Sequence, residues 1–311
     1  MTDATQEVEN DWVITVIGRS GVEHALRPMA DILKKQGLGV DRIEPRSGAQ
    51  GASGYSCAEF HTSGTIRDQA SMRIELSALA DEIAVDIAVQ RGSERQQQRR
   101  LFVFDMDSTL IQGETIDELA KLAGVADRVV AITASAMRGE IEFQESFRRR
   151  VALLAGLPEA KALEVIERLP LMEGAERLFR TLKARGAKTA ILSGGFTFFG
   201  AVLKEKLGAD YVFANELDVR DGFVTGEVRG GIVDGTRKAE LLVEIAGLEG
   251  IPLEQVVAVG DGANDLPMLG LAGMGVAFHA KPVVRASARF SMTHVGLDGL
   301  LYLLGIPDWE W

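Results

Sequence analysis

The 311-residue sequence lacks most features that mark a secreted or membrane-bound protein. Its one cysteine, Cys57, excludes a disulfide framework and any zinc site built from four thiolates. No apolar run reaches the roughly 18 residues that a membrane-spanning helix needs. The polar, acidic start has no apolar stretch of the kind found in signal peptides. We therefore expect a soluble cytoplasmic protein that does not contact membranes.

Basic residues are also in the minority. The chain has 34 lysines and arginines against 45 aspartates and glutamates, a formal net charge of -11. A protein that coats DNA or an anionic membrane needs clustered basic side chains, so the composition argues against nucleic acid as a partner. It does not exclude a small anionic substrate, because one pocket can be positive on an acidic protein. With 46% hydrophobic residues the chain can bury real cores, and its length predicts about two domains.

The first part of the chain, residues 1–92, alternates between strand-like and helix-like patterns. Strands are predicted at residues 12–17, 38–43, 55–62 and 85–89, and helices at residues 22–36 and 66–83. The order βαββαβ is typical of the α+β ferredoxin-like fold. Residues 93–100, SERQQQRR, are all polar and predict a solvated linker.

From residue 101 to residue 311, short apolar strands alternate with helices. Strands are predicted at Leu101–Phe104, Lys188–Leu192 and Val256–Val259, each followed by a polar turn. This pattern favours an α/β fold with a doubly wound, Rossmann-like parallel sheet, whose site lies at the carboxyl ends of the strands. The long stretch after the first strand predicts a helical cap at about residues 114–180. An Asp-Gly pair predicts a hairpin within an insertion at about residues 211–235.

Two of these strands are followed by paired aspartates. Asp105 and Asp107 come directly after the first strand, and Asp261 and Asp265 come directly after the third. Close carboxylates repel one another unless a cation or a proton neutralises them, and oxygen ligands suit Mg²⁺. Each pair taken alone is also compatible with an ordinary turn that aspartates cap. Their shared position at one edge of a parallel sheet favours a magnesium site.

Two further segments indicate a phosphate site. Ser193 and Gly194, in the turn after the second strand, can offer a hydroxyl group and backbone N–H groups to phosphate oxygens. Lys238 can add a point charge, although a single lysine at the start of a helix is most often a surface residue. The four histidines show no metal-binding spacing, and the sequence contains neither a P-loop nor a complete dinucleotide fingerprint.

Taken in order, these segments resemble the motifs of the haloacid-dehalogenase-like hydrolases. The matching segments are Asp105–Thr109 (DxDx[TS]), Ser193, Lys238 and Gly260–Asp265 (GDxxxD). Within that superfamily, residues 101–305 resemble the phosphoserine phosphatases through stretches such as FDMDSTLIQGETIDELA, MRGEIEFQESFRRRVALL and AVGDGANDLPML. Residues 12–92 resemble an ACT domain, a regulatory module that often binds amino acids, and this likeness rests on the order of elements.

The resemblance implies a Mg²⁺-dependent phosphomonoesterase that converts O-phospho-L-serine to L-serine and phosphate, the last step of serine biosynthesis. Asp105 would be the nucleophile that forms an aspartyl-phosphate, and Asp107 would protonate the leaving oxygen and then deprotonate water. The metal ligands would be Asp105, the backbone carbonyl of Asp107, and Asp261. The phosphoryl group would be bound by Ser193, Gly194 and Lys238. Asn264 would support the phosphate or the water shell of the metal. Asp265 would orient Lys238 or a metal-bound water.

By the same resemblance, substrate choice would come from the cap. Glu114 would face the ammonium group of phosphoserine, and Arg150 would bind its carboxylate through two N–H groups. Met137 and Phe143 would cover the ligand. Arg150 is the last of three consecutive arginines. Without the resemblance, such a run favours a solvated helix face.

Two other functions stay open at this point. The same aspartyl-phosphate could pass its phosphoryl group to another alcohol, such as homoserine. The N-terminal module could instead make the chain an amino-acid-sensing protein with an inactive hydrolase half, which the intact set of acidic residues argues against. If that module binds an amino acid between two copies, the protein is a homodimer.

Overall fold

The computed structural model describes residues 11–19, 21–48 and 54–311, and the chain divides into two compact units. The first unit comprises the chain up to Arg99 together with Glu173–Thr181 and Val276–Trp311. The second unit comprises Arg100–Met172 and Leu182–Gly275. Among the described residues, no helix is both long enough and apolar enough to span a membrane.

The N-terminal part of the first unit is a four-stranded antiparallel sheet with two long helices. Its elements are, in chain order, β1 (Asp11–Gly18), α1 (Glu23–Lys35), β2 (Leu38–Pro45), β3 (Ser56–Gly64), α2 (Gln69–Ile83), β4 (Val85–Arg91) and the short α3 (Gly92–Arg95). The strands lie in the order β2-β3-β1-β4, and each neighbouring pair is antiparallel. The predicted βαββαβ order is therefore confirmed.

The core of this sheet combines an apolar strand with one face of a helix. Trp12, Ile14 and Val16 alternate along β1 and share one buried cluster with Met29 and Leu33 of α1. A spacing of two residues on a strand, or of four on a helix, puts side chains on one face. Burying a large apolar side chain of this kind contributes roughly 1.5–3 kcal/mol. The spacing along α1 thus predicts the helix face that meets the sheet, whereas β1 is apolar and buried on both faces, with Val13 and Ile17 buried as well.

A buried carboxylate, Glu59 on β3, is neutralised by two arginines. The Glu59 side chain has no exposed surface and forms ion pairs with Arg46 and with Arg95 of α3. A buried charge without such partners would cost several kcal/mol. Arg95 belongs to the polar segment 93–100, so this part of the expected solvated linker is packed rather than solvated.

The second unit is built around a mostly parallel sheet. Its helices and strands, in chain order, are β5 (Leu101–Phe104), α4 (Thr115–Leu122), α5 (Ala126–Met137), α6 (Phe143–Ala152), α7 (Glu159–Glu164), α8 (Ala175–Ala184), β6 (Lys188–Phe196), α9 (Thr197–Leu207), β7 (Tyr211–Arg220), β8 (Phe223–Arg229), α10 (Gly235–Leu248), β9 (Val256–Gly260) and α11 (Leu266–Leu271). The helix α8 is divided between the two units after Thr181. Within this unit the strand order is β9-β5-β6-β7-β8, parallel except for β8.

The strand β5 determines where the polar turns meet. All four of its residues are buried, and it pairs in register with β9 on one side and β6 on the other. A strand covered on both faces needs the continuous apolar run seen here. Because the three strands run in the same direction, Asp105, Ser193 and Asp261 lie at one edge of the sheet, where the sequence predicts the site.

The strands β7 and β8 form the hairpin predicted within residues 211–235. Asp221 and Gly222 have φ angles of 52° and 78°, and a two-residue hairpin turn requires such positive values. From Tyr211 onward, β7 also pairs in parallel with β6, so this segment extends the main sheet. A strand-like sequence pattern does not reveal which neighbour the strand takes.

The C-terminal residues 276–311 complete the first unit. They include the end of β10 (Met274–Phe278), together with α12 (Pro282–Ser287), β11 (Phe290–Met292) and α13 (Leu300–Leu303). Asp86 of β4 accepts hydrogen bonds from three successive backbone N–H groups that follow β11. The donors are Thr293, His294 and Val295, at N–O distances of 2.6, 2.9 and 3.2 Å. One buried carboxylate thus fastens the N-terminal sheet to the C-terminal segment.

Replacing Asp86 by alanine is expected to lower the free energy of unfolding by about 2–4 kcal/mol, because three backbone N–H groups lose their acceptor. Asp86→Asn keeps one carbonyl oxygen as an acceptor and is expected to lose less. Urea denaturation followed by circular dichroism measures both changes. Equal stability of Asp86→Ala and the unmodified protein would contradict this role.

Candidate active site

Asp105 lies at the carboxyl end of β5 and is 5% exposed. Its backbone N–H donates to the carbonyl of Val259 (2.9 Å), which continues the pairing of β5 with β9 by one residue. Its Oδ1 accepts the N–H of Met106 (2.7 Å). Ser108 then has a φ of 57°, which is uncommon for a residue other than glycine, so the chain turns sharply after Asp107. Both carboxylates predicted after this strand are therefore buried beside the strand end.

The ammonium group of Lys238 lies between two of the predicted carboxylates. Its side chain is fully buried, and Nζ is 2.7 Å from Oδ1 of Asp105 and 2.7 Å from Oδ1 of Asp265. Burial alone would lower the pKa of Lys238, but the two carboxylates more than reverse this effect and raise it. The alternative of a surface lysine is wrong, and Lys238 is held as a buried cation.

The helix α10, which carries Lys238, lies very close to the turn after β9. A Cβ atom added to Gly235, the first residue of α10, would lie 2.7 Å from the carbonyl oxygen of Asn264. A Cβ atom on Gly260 would lie 2.4 Å from the side chain of Asp265. Asp265 also accepts the N–H of Gly262 through Oδ2 (3.0 Å). Glycine at these positions allows the ion pair of Lys238 to form.

Three carboxylates at this edge of the sheet form a candidate metal site. Oxygen atoms of Asp105, Asp261 and Asp265 lie within 4.8 Å of one another. Their three negative charges exceed the charge of Lys238, and the pKa of Asp105 is raised, first by burial and then by the charge of Asp265. An all-oxygen donor set with an excess of negative charge fits a hard divalent cation.

Asp107 is held by the first turn of α4. Its Oδ1 accepts the backbone N–H of Thr115 (2.8 Å), and its Oδ2 accepts the hydroxyl of the same residue (3.3 Å). Burial, and then the charge of Glu114, raise the pKa of Asp107 to about 7. A carboxyl group with this pKa can both donate and accept a proton near neutral pH, as an acid–base catalyst must.

The irregular end of β6, residues 193–196, here called the Ser193 turn, approaches Asp107 closely. The strand runs to Phe196, beyond the predicted end at Leu192, and its pairing with β7 is irregular between Leu192 and Phe196. Ser193 is fully buried, and its Oγ accepts the N–H of Gly195 (2.8 Å), so its hydroxyl hydrogen can be offered to a ligand. A Cβ atom on Gly195 would lie 2.5 Å from Oδ2 of Asp107. The second glycine of this turn is therefore needed to bring Ser193 and Asp107 together.

Asn215 of β7 connects this turn to α10. Its Nδ2 donates to the carbonyl of Gly194 (2.8 Å), and its Oδ1 accepts the N–H of Val233 (2.8 Å). The side chain is buried, with 2% exposed. Val233 lies two residues before α10 begins, and Lys238 lies in the first turns of that helix. One amide group thus holds both the Ser193 turn and the chain that leads to Lys238.

Arg150 differs from its two arginine neighbours on α6. Arg148 and Arg149 are exposed, whereas Arg150 is partly buried, and its Nε has no hydrogen-bond partner among the described residues. Burial lowers the pKa of Arg150, and the nearby charge of Glu114 opposes this. Glu114 itself accepts a hydrogen bond from the Ser108 hydroxyl (3.0 Å). Arg150 is therefore a partly buried cation, whose pKa is lowered by burial and raised in part by the charges of Glu114, Asp117 and Asp107.

The two apolar cap residues lie in different surroundings. A Cβ atom on Gly194 would contact Cζ of Phe143 at 3.6 Å, so this ring lies over the Ser193 turn. Met137, at the end of α5, is 68% exposed. Next to Phe143, Gln144 donates to Oδ2 of Asp234, the residue that caps α10, at 2.7 Å. The cap helix α6 is thereby joined to the start of α10.

Comparison with known proteins agrees with this geometry. A sequence model of the haloacid dehalogenase-like hydrolase family matches residues 102–270. A phosphoserine phosphatase of Archaeoglobus fulgidus is 48% identical over 241 residues, which cover 78% of this chain and 70% of that protein. Phosphoserine phosphatase SerB2 of Mycobacterium tuberculosis is 44% identical over 299 residues, which cover 96% of this chain and 72% of that protein. The chain belongs to the phosphoserine phosphatase family.

A solved structure of the phosphoserine phosphatase family extends the likeness to the N-terminal part. The structure of a probable phosphoserine phosphatase from Vibrio cholerae has a TM-score of 0.77 at 35% identity. The match covers 98% of this chain and 89% of that one. The expected fold class, an α/β hydrolase core with an N-terminal α+β domain, is confirmed.

Three residues near this phosphoserine phosphatase site were not predicted from the sequence: Thr115, Gly195 and Asn215. Asn215 carried a usable signal, because it interrupts the apolar strand pattern Val212–Ala214 and a buried amide needs partners. Gly195 resembles any turn glycine in the sequence. Thr115 resembles any residue at the start of a helix. Only their contacts show what they hold in place.

Removing the Asn215 side chain should reduce catalysis in this phosphoserine phosphatase. We expect Asn215→Ala to lower kcat/KM for p-nitrophenyl phosphate about 10- to 100-fold, because the Ser193 turn and the start of α10 each lose a hydrogen bond. Steady-state kinetics measure the effect, and thermal unfolding shows that the variant is folded. The matched control is Gln112→Ala, which removes an exposed amide that donates to the Leu171 carbonyl. Equal kinetics for the two variants would contradict the role of Asn215.

Proposed function

We propose that the protein hydrolyses O-phospho-L-serine to L-serine and phosphate, the last step of serine biosynthesis, with Mg²⁺ as its metal. Relatives named phosphoserine phosphatase match most of the chain. A further solved structure, 45% identical, is described as a substrate-bound phosphoserine phosphatase. The observation that carries the proposal is the buried carboxylate of Asp105, which forms an ion pair with Lys238. Asp107, two residues further on, has a pKa of about 7 and can act as the acid–base group.

Mg²⁺ fits the donor set at the carboxyl ends of β5 and β9. The ligands would be the side chains of Asp105 and Asp261 and the backbone carbonyl of Asp107, all hard oxygen donors. When bound, the metal supplies positive charge that lets an anionic carboxylate approach an anionic phosphate and that stabilises the transferring group. Asp265, which belongs to the same acidic cluster, holds Lys238 instead.

In the first half of the reaction, a carboxylate oxygen of Asp105 attacks the phosphorus atom. The bond between phosphorus and the seryl oxygen breaks, and Asp107 gives its proton to that oxygen, so L-serine leaves. The phosphoryl group is then covalently bound to Asp105 as an aspartyl-phosphate. The hydrogen bonds from Thr115 keep the Asp107 carboxyl oriented for this transfer.

In the second half, Asp107 acts as a base. Its carboxylate takes a proton from a water molecule, and the resulting hydroxide attacks the phosphorus atom of the aspartyl-phosphate. The bond between phosphorus and the Asp105 oxygen breaks, which releases phosphate and restores the carboxylate. A pKa near 7 suits Asp107 to both steps, because neither protonation state is strongly disfavoured.

The phosphoryl oxygens are bound by groups from three elements. These groups are the hydroxyl of Ser193, the backbone N–H of Gly194, the ammonium of Lys238 and the side chain of Asn264. Lys238 is the fixed cation among them, because Asp265 holds it from the opposite side. Preorganised charges of this kind stabilise the transition state without having to rearrange during the reaction.

The cap residues select the amino-acid part of the substrate. The guanidinium of Arg150, with Nε lacking a partner among the described residues, can bind the α-carboxylate. Glu114 can bind the α-ammonium group. Phe143 can cover the ligand from its position over Gly194. Met137, whose side chain is exposed, can add a further apolar contact.

Asp105→Asn is expected to abolish turnover of phosphoserine, at least about 1,000-fold in kcat, because an amide cannot form the acyl-phosphate. Substrate binding, measured by isothermal titration calorimetry in the presence of Mg²⁺, should persist. Phosphate release measures the loss, and circular dichroism shows that the variant is folded. Normal phosphate release by Asp105→Asn would exclude Asp105 as the nucleophile.

Arg150→Ala is expected to lower kcat/KM for phosphoserine about 100-fold and for p-nitrophenyl phosphate less than about 3-fold, because only the first substrate has an α-carboxylate. Arg148→Ala, an exposed arginine on the same helix, is the matched control and should change neither value. Equal losses on both substrates would remove Arg150 from the specificity role.

Three further expectations stay predictions. They are the division into a regulatory module (residues 1–92), a linker (93–100) and a catalytic domain (101–311), the amino-acid ligand of the module, and the homodimer. Sedimentation velocity of the full chain, with and without L-serine, tests the last two together.

A further inference from the structure

We propose that the first unit contains a binding site for a small amphipathic organic acid, lined by α2, β4 and residues 282–294. This inference goes beyond the phosphatase activity, because all the lining residues belong to the first unit. The cavity has a volume of about 620 Å³. Sites for small organic ligands typically have volumes of about 300–1,000 Å³, so the size suits a single molecule of this kind.

One side of the cavity is apolar. Leu76 of α2 and Ile87 and Val89 of β4 line it and also pack against the core of the N-terminal sheet. Ile74, on the same helix, is 70% exposed and also lines the cavity. A large aliphatic side chain with this exposure gains free energy when a ligand covers it. This side of the cavity therefore favours a ligand with an apolar body.

The cavity lining also includes a cation, Arg73, without a carboxylate partner among the described residues. Arg73 of α2 donates through Nη2 to the carbonyls of Arg285, Ala286 and Ala288 at the end of α12. No ion pair joins Arg73 to an acidic group within the described residues 11–19, 21–48 and 54–311. Its position is thus fixed by neutral acceptors, and its charge is not compensated. An anionic group on the ligand would supply that compensation.

The acidic residues of the lining already have partners. Asp81 forms an ion pair with Arg285, with 2.7 Å between Oδ1 and Nη2. Asp86 accepts the three backbone N–H groups that follow β11. A ligand ammonium group would have to compete with these contacts. The charged residues of the lining therefore favour an organic acid as the ligand. An amine, or a zwitterion whose ammonium group enters the cavity, would bind less well.

The first test compares three probes by isothermal titration calorimetry on the full chain, in excess inorganic phosphate to compete at the catalytic site. Indole-3-acetate has both an apolar body and a carboxylate, indole-3-acetamide lacks the charge, and acetate lacks the body. We expect one indole-3-acetate per chain and at least about tenfold weaker binding of the other two probes, since each lacks one of the two interactions. Equal binding of indole-3-acetate and its amide, or no binding of indole-3-acetate, would overturn the proposal.

The second test locates the binding with three variants of α2. Ser77→Phe places a ring in the cavity and should weaken the binding of indole-3-acetate at least tenfold. Ala78 is the next residue but does not line the cavity, so Ala78→Phe should leave this binding unchanged. Both residues are exposed, so neither substitution disturbs the core, and both variants should keep normal phosphoserine hydrolysis. Arg73→Gln should weaken the acid but not the amide. Equal binding to Ser77→Phe and Ala78→Phe would place the probe elsewhere and overturn the proposal.

Discussion

The ion pair of Lys238 with Asp105 and Asp265 is the interaction on which the catalytic edge of this protein depends. A buried ammonium group without carboxylates would lose its charge, and three buried carboxylates without a cation would take up protons. The two carboxylates keep Lys238 charged, whereas Lys238 only partly offsets the burial and the neighbouring charge that raise the pKa of Asp105. This contact joins α10 to the turn after β5 and to the turn after β9.

Several other features make that contact possible by bringing backbones close together. Gly235 and Gly260 leave room for α10 against the turn after β9, and Gly195 leaves room for Asp107 beside the Ser193 turn. Asn215 then joins two of these segments through its amide group. The chemistry rests on a few acidic and basic groups, but their geometry rests on residues that take no part in the reaction.

The N-terminal sheet and the C-terminal residues 276–311 form one compact unit, held in part by Asp86. The N-terminal module is thus packed against a segment that follows the catalytic motifs in the sequence. A ligand in the proposed cavity would contact α2 and this C-terminal segment together.

The order of the elements and the apolar segments of both cores can be predicted from the amino-acid sequence. So can the three strands that carry Asp105, Ser193 and Asp261 at their carboxyl ends. These follow from local periodicity, which each segment carries independently of the rest. The folded chain adds what the sequence does not show: Lys238 is buried, β7 extends the main sheet, Arg95 is packed, and Asn215 and Thr115 position the site. Each of these depends on a partner distant in the sequence, and neither spacing nor composition specifies which distant groups meet.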